Sequence, residues 1–219
     1  MNSPIIQLLV LAGIAVFLIL RLKNVLGSRD GYEGPPRSQQ GAASQRREGF
    51  EVIEGGPDRD ITDNVSEDSA AASALADMKR AEPSFGVTDF LQGARSAYEM
   101  IIMAFERGNM EEITPLLSED VFETFSQVVD ARQEQGLRID AEFYGVRETT
   151  LLDATFDENE NRAEIVVRFV GELTSVVRDS DGNIVEGTPN QPKKQKDTWT
   201  FERIMGSDDP NWRLVATGE

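Results

Sequence analysis

The chain has 219 residues, 39% of them hydrophobic, which is enough for one folded domain with appended segments. It contains no cysteine and no histidine, which excludes disulfides, thiolate nucleophiles, cysteine-ligated metals and imidazole bases. The net charge is −17, and residues 85–219 hold 13 Lys and Arg against 27 Asp and Glu. A field of that sign repels phosphate backbones, so we expect no nucleic-acid partner.

The N-terminal segment predicts a membrane anchor over residues 1–24. Residues 4–20, "PIIQLLVLAGIAVFLIL", are interrupted only by Gln7 and have no polar face, which argues against a buried core helix. Arg21, Lys23 and Arg29 follow the apolar run, whereas a cleavable signal peptide has its basic residues before the run. We therefore expect a single-pass membrane protein that contacts the membrane through residues 4–22. The positive-inside bias predicts an outer N-terminus and a cytoplasmic C-terminal domain.

Residues 25–84 predict an acidic, mostly disordered linker. This segment is rich in Gly, Pro, Ser and charged residues, a composition that buries too little apolar surface to offset its ordering entropy. Two stretches differ. "FEVIE", residues 50–54, is either a docking peptide or an unstructured apolar pentamer. Ser66 is predicted to cap a short Ala-rich helix that leads into the domain.

The domain predicted over residues 85–219 begins with three helices. Apolar residues recur at spacings of three and four from Phe90 to Phe105, which is typical of a helix with one buried face. A short second helix and a third with apolar residues on one side follow. The predicted boundary residues are Thr88 and Gly108 for the first helix, Asn109 for the second, and Ser118 and Gly136 for the third.

After Gly136 the apolar period changes to two, which indicates β-strands. Residues 139–156 predict one strand or a broken pair, and Asp181 with Gly182 predict a hairpin turn after the next, longer strand. "PKKQK", with Lys193, Lys194 and Lys196, is interpreted as a solvated loop. The buried face of the longer strand is predicted to contain Ala163, Ile165, Val167, Phe169, Gly171, Leu173 and Val177.

Both tryptophans lie in the last 21 residues of the chain, where they predict a terminal hairpin. Trp199 and Phe201 alternate on the first strand of this hairpin, and Trp212 begins the second. Their rings would supply the aromatic face on which the amphipathic helices pack. We expect Trp199 to be core and Trp212, which follows the turn "DDPN", to be the more exposed. Helices followed by an antiparallel sheet predict an α+β domain.

Several ordered motifs resemble the Tim-forty-four (Tim44) family of membrane tethers, named after a subunit of the mitochondrial protein-import motor. They are "WTFER" and "DPNWRLVAT" at the C-terminus, "FLQGARSAYEMIIMAFERGNMEEITPLLSEDVFETF" in the helices and "IVVRFVGELTSVVRDSDGNIVEG" in the long strand. "LRLKNVLGSRDGYEGPP" is similar to the segment after the anchor of bacterial, TimA-type members, and this resemblance implies the bacterial inner membrane. The resemblance implies helices against a curved antiparallel sheet, the cone of the nuclear-transport-factor-two superfold.

Two classes of function remain open. The first is a non-enzymatic adaptor without a cofactor or metal, which holds a chaperone, translocase, ribosome or membrane-assembly factor at the cytoplasmic face. The second is a receptor or enzyme that uses an apolar pocket of the cone for a small hydrophobic ligand. Its candidate polar residues are Asp140, Glu142, Tyr144 and Glu172. Candidates for lining a pocket or binding a partner are Tyr98, Phe105, Phe169, Trp199, Phe201 and Trp212.

Overall fold

The computed structural model of the protein describes residues 57–218. The predicted anchor and residues 25–56 of the predicted linker lie outside the described residues. Within residues 57–218, no helix combines the length and the apolar character needed to span a membrane. The helices of this range are α1 (Arg59–Thr62), α2 (Ala70–Ala81), α3 (Val87–Arg107), α4 (Met110–Ile113), the 3-10 helix Thr114–Leu116 and α5 (Glu119–Glu134).

Helix α2 belongs to the folded domain, although its residues were predicted to lie in the linker. Leu75 and Met78 are fully buried in the core, on the same side of the helix as Ala71. The N-cap is Ser69, whose hydroxyl accepts the N–H of Ala72 at 3.0 Å, and not the predicted Ser66. The domain therefore begins before residue 85. An apolar stripe of only a few residues is enough to pack a helix against a sheet.

Helix α3 ends as predicted, but it begins with a cap from elsewhere in the chain. Gly108 adopts the left-handed conformation, with φ of 77°, that terminates helices. The N-cap position is Gly86, and the prediction of Thr88 as N-cap is wrong. The carboxylate of Asp60 accepts the N–H groups of Val87 at 2.7 Å and Thr88 at 2.8 Å. A side chain of α1 thus satisfies the first donors of α3.

Helices α4 and α5 begin close to the predicted residues. Ser118 caps α5 by accepting the N–H of Val121 at 3.4 Å, which confirms that prediction. Asn109 precedes α4, but its side chain donates to Glu112 at 3.0 Å instead of bonding to the backbone.

The sheet is antiparallel with five strands among the described residues, and its main order is β1-β2-β4-β5. Strand β3 pairs with β2 beyond the end of the β2–β4 ladder. The predicted α+β class, with helices packed against an antiparallel sheet, is confirmed. The strands are β1 (Arg138–Asp157), β2 (Arg162–Arg178), β3 (Ile184–Glu186), β4 (Lys193–Ile204) and β5 (Arg213–Gly218).

Strand β2 is the long strand predicted from the alternating pattern. Its alternate residues from Ala163 to Leu173 are buried, as predicted. The alternation then breaks, so that Val176 is buried and the predicted Val177 is only half-buried. Strand β1 is continuous, but three register shifts against β2 mark bulges, which bend the sheet. The hairpin at Asp181 and Gly182 is confirmed by the β2–β3 pairing.

The last two strands contain the predicted terminal hairpin. Trp199 is 2% exposed, while Trp212 is half-buried just before β5, which confirms their predicted difference. The interpretation of "PKKQK" as a loop is wrong, because Lys193, Lys194 and Lys196 lie on β4 and pair with β2. The lysines are exposed as predicted, but β2 is long enough to form backbone hydrogen bonds with this part of β4 as well.

Candidate functional site

Four of the predicted site residues form one aromatic cluster in the core. Tyr98 of α3 stacks on Phe169 of β2 with ring centroids 4.6 Å apart and meets Trp199 at 4.8 Å. Phe201 packs edge-on against Phe169 at 6.3 Å. All four side chains are almost completely buried. The cluster fills the space between α3 and the sheet. The receptor or enzyme hypothesis expected an apolar ligand pocket inside the cone.

The position of Tyr98 is fixed by a polar contact and by a glycine. Its hydroxyl donates to Asp197 Oδ2 at 2.5 Å. Burial, the hydrogen bond and the negative charge of Asp197 together raise the pKa of Tyr98 far above its ordinary value. A Cβ at Gly171 would lie 2.7 Å from the hydroxyl oxygen, so only glycine leaves room for the ring on β2. Tyr98 is therefore a neutral structural group.

Phe105 lies apart from this cluster, between α3 and α5. Its ring meets Phe125 at 4.7 Å and carries the guanidinium of Arg132 at 4.4 Å from its centroid. Arg132 also donates to the carbonyl of Phe105 at 2.8 Å. Phe105 thus holds the two helices together and does not belong to a shared pocket with Tyr98.

The sixth predicted residue, Trp212, lines an open groove. Its ring packs on Phe90 at 4.7 Å and on Phe85 at 5.9 Å. The space beside these rings has a volume of about 340 Å³. We call it the Trp212 groove and define it by the residues that line it, which are Glu82, Ser84, Phe85, Gly86, Asp89, Phe90, Gly93, Ala94, Ala97, Met100, Leu116, Phe201, Arg203, Pro210, Asn211 and Trp212.

One rim of the Trp212 groove is a half-buried ion pair. Arg203 Nη2 donates to both carboxylate oxygens of Glu82, at 3.0 and 2.9 Å, and the N–H of Gly206 donates to the same carboxylate at 2.9 Å. Burial raises the pKa of Glu82, but the bond from Gly206 and the charge of Arg203 outweigh it and lower the pKa below its usual value. The pair ties the end of α2 to β4.

The apolar wall of the groove follows one exposed side of α3. Met100 is 51% exposed, and a Cβ added at Gly93 would meet no atom within 4 Å. The helical pattern assigned Phe90 to the buried face of α3 and did not single out Met100. The groove forms only when the turn after β4 brings Trp212 beside α3, so the helical pattern alone contains no signal for it.

The polar candidates of the receptor or enzyme hypothesis lie on the exposed side of β1 and β2. Tyr144 is 43% exposed and donates to Glu142 Oε2 at 3.0 Å. Asp140 and Glu172 form ion pairs with arginines, at 2.7 Å with Arg178 and 2.5 Å with Arg147. In the part of the chain that the structure describes, no three carboxylates come close enough together to hold a metal ion. Of these candidates, Asp140 lines an open surface cavity together with Arg138 and Arg178.

The fold and the groove define an α+β domain with a filled core and an open apolar surface. The sequence model of the Tim44-like domain matches residues 71–219, so the chain belongs to the Tim44-like domain family. The resemblance found in the sequence motifs is thereby confirmed. The match begins inside α2, consistent with the burial of that helix in the domain.

A curated relative is the mitochondrial import inner membrane translocase subunit TIM44-1 of Arabidopsis thaliana. It is 22% identical over 162 residues, which are 71% of this chain and 34% of the relative. The chain therefore spans about a third of the length of this relative. Among solved structures, the intermembrane space region of the chloroplast protein ARC6 is similar over 58% of this chain and 94% of that chain, with 13% identity and a TM-score of 0.40. That likeness is too weak to support a functional argument.

Proposed function

We propose that the protein is a membrane-anchored, non-enzymatic adaptor that holds a protein partner at the cytoplasmic face of a bacterial inner membrane. Its process would be protein translocation or membrane-protein assembly. Membership of the Tim44-like domain family supports this proposal, as does similarity to a subunit named for mitochondrial protein import. The predicted anchor at residues 4–22 and the basic residues after it supply the membrane attachment and the orientation.

The observation that carries the proposal is the contrast between the filled core and the open Trp212 groove. Tyr98 occupies the space between α3 and the sheet, so a small ligand could enter only by displacing a fully buried ring. The Trp212 groove is instead open to solvent: Met100 is 51% exposed and Trp212 is half-buried, and Trp212 packs over the buried rings of Phe85 and Phe90. Aromatic residues with a polar rim are typical of the centres of protein interfaces.

Site-specific crosslinking in intact membranes tests this function. A photoreactive residue at Met100 faces the groove, and one at Leu152, 45% exposed on β1, lies outside it and serves as the matched control. We expect adducts with a translocation or membrane-assembly protein from position 100 and none of them from position 152. The same protein from both positions, or only lipid and small-molecule adducts from position 100, would contradict the adaptor function.

The proposed orientation has its own test. A reporter that is active only in the cytoplasm, fused after Glu219, should be active, whereas a reporter that requires the periplasm should be inactive. Activity of the periplasmic reporter at this position would refute the orientation without bearing on the groove.

A further inference from the structure

The methionines of this chain differ sharply in their exposure to solvent. The chain contains six methionines and no cysteine, so thioethers are the only sulfur groups it offers to an oxidant. Met1 lies outside the described residues. Within residues 57–218, Met100 is 51% exposed, and every other methionine is at most 8% exposed. These buried methionines are Met78, Met103, Met110 and Met205.

Exposure decides which thioether a dissolved peroxide reaches. The buried methionines become accessible only when the domain opens locally or unfolds, whereas Met100 meets the oxidant in the folded state. Hydrogen peroxide transfers one oxygen atom to the thioether. The new sulfur–oxygen bond forms as the O–O bond breaks, and the second oxygen leaves as water. The sulfur loses two electrons, the peroxide gains them, and the product is methionine sulfoxide.

Met100 is also the exposed apolar residue that α3 contributes to the Trp212 groove. Phe90 and Ala94 line the same groove but are buried. Gly93 and Ala97 precede Met100 on the same side of α3, and both are small. Met100 therefore has the longest side chain on this exposed strip of the helix, where a partner in the groove would cover it.

Oxidation of Met100 turns this apolar wall into a polar one. A partner that covers the sulfoxide must either donate a hydrogen bond to its oxygen or leave that oxygen buried and unpaired. Arg203, a cation of the groove, already donates to both carboxylate oxygens of Glu82, at 3.0 and 2.9 Å. Burial of an unpaired acceptor weakens association by about fivefold or more.

We propose that Met100 is a reversible oxidation site, and that its sulfoxide weakens the binding of a protein partner to the Trp212 groove. This inference rests on the proposed function, because it concerns the regulation of the same groove. A bound partner covers Met100, so peroxide oxidises the free adaptor and prevents a new partner from binding. Methionine sulfoxide reductases, each specific for one epimer, restore the thioether with electrons from thiols, and the oxygen leaves as water.

The first measurement identifies the oxidised residue. The full chain in peroxide-free detergent is treated with hydrogen peroxide, and peptide mass spectrometry follows the gain of one oxygen at each methionine. We expect Met100 to react at least about tenfold faster than the four buried methionines, which react only after local opening. Circular dichroism should show an unchanged thermal transition in the oxidised chain, because the modified side chain lies outside the core.

The second measurement follows the partner in open membrane sheets, which reagents reach from both sides. A photoreactive residue replaces Gly93, where a Cβ meets no atom within 4 Å, and so reports on the groove without replacing Met100. We expect peroxide to lower the yield of the partner adduct by at least about threefold, and sulfoxide reductases to restore it.

Two variants of Met100 provide the controls. Met100→Leu is similar in volume and has no sulfur, so peroxide should not change its adduct yield, whatever that yield is without peroxide. Met100→Gln is polar without oxidation, so its yield should be low from the start and peroxide should not lower it further.

The results distinguish this inference from the adaptor function. An adduct that forms equally well when Met100 is oxidised would overturn the inference and leave the adaptor function intact. Absence of an adduct in untreated membranes would refute the adaptor function and the proposed regulation with it. Equal oxidation of the buried methionines, a lowered thermal transition, or the same loss of adduct in Met100→Leu would overturn the inference alone, since the loss would then have another cause.

Discussion

Replacement of Trp199 by alanine should remove a central part of the core. Trp199 is 2% exposed, and its ring centroid lies 4.8 Å from that of Tyr98 and 5.8 Å from that of Phe169. Burial of a tryptophan removes roughly 150–250 Å² from water, which at about 25 cal/mol per Å² corresponds to roughly 4–6 kcal/mol. Measured truncations of large buried aromatics cost about 3–5 kcal/mol, and we expect a loss in this range for Trp199→Ala.

The matched comparison is Trp212→Ala. This ring is half-buried and packs on Phe90 and Phe85 at the groove, so we expect the free energy of unfolding to fall by only about 1–3 kcal/mol. Each variant retains the other tryptophan as a fluorescent probe. Urea denaturation of residues 57–219, followed by fluorescence and circular dichroism, measures both losses. A loss below about 1 kcal/mol in Trp199→Ala, or equal losses in the two variants, would refute the assignment of Trp199 to the core.

Three further predictions concern other parts of the domain. Leu75→Ala should lower the free energy of unfolding in urea melts by about 2–5 kcal/mol, whereas the exposed Ser73→Ala should change it little. A loss in Leu75→Ala no larger than that in Ser73→Ala would show that α2 is peripheral. Gly171→Ala should cost about 1–3 kcal/mol, because its Cβ would lie 2.7 Å from the Tyr98 hydroxyl, and Tyr98→Phe should recover part of this loss in a double-mutant cycle. Burial raises the pKa of Asp60, but bonds from Lys79, Thr88 and Val87 outweigh it and hold the pKa well below its usual range. As the pH falls, Asp60 takes up its proton in the unfolded chain before it does so in the folded one, so the free energy of unfolding should decline below about pH 4. Asp60→Asn should flatten this decline in acid-denaturation curves. An unchanged slope would contradict the capping role of Asp60.

The periodic elements could be predicted from the sequence because their signals are local. The period of two in β2, the stop at Gly108, the cap at Ser118 and the turn at Gly182 each depend on residues within a few positions of one another. The unequal burial of the two tryptophans also followed from local context. The family resemblance was contained in ordered motifs that can be read without a structure.

Tertiary structure decided the features that join distant parts of the chain. Asp60 caps a helix 27 positions later, and Glu82 meets Arg203 across 121 positions, so no local pattern indicates either contact. The Ala-rich sequence of α2 predicted a short helix, but only the packing of α2 against β1 makes it part of the domain. The lysines of "PKKQK" form a strand because β2 extends beneath them. The Trp212 groove likewise exists only where the turn before β5 meets α3. Residue propensities and the apolar period of a sequence describe a single helix or strand, but they do not indicate which neighbour it packs against.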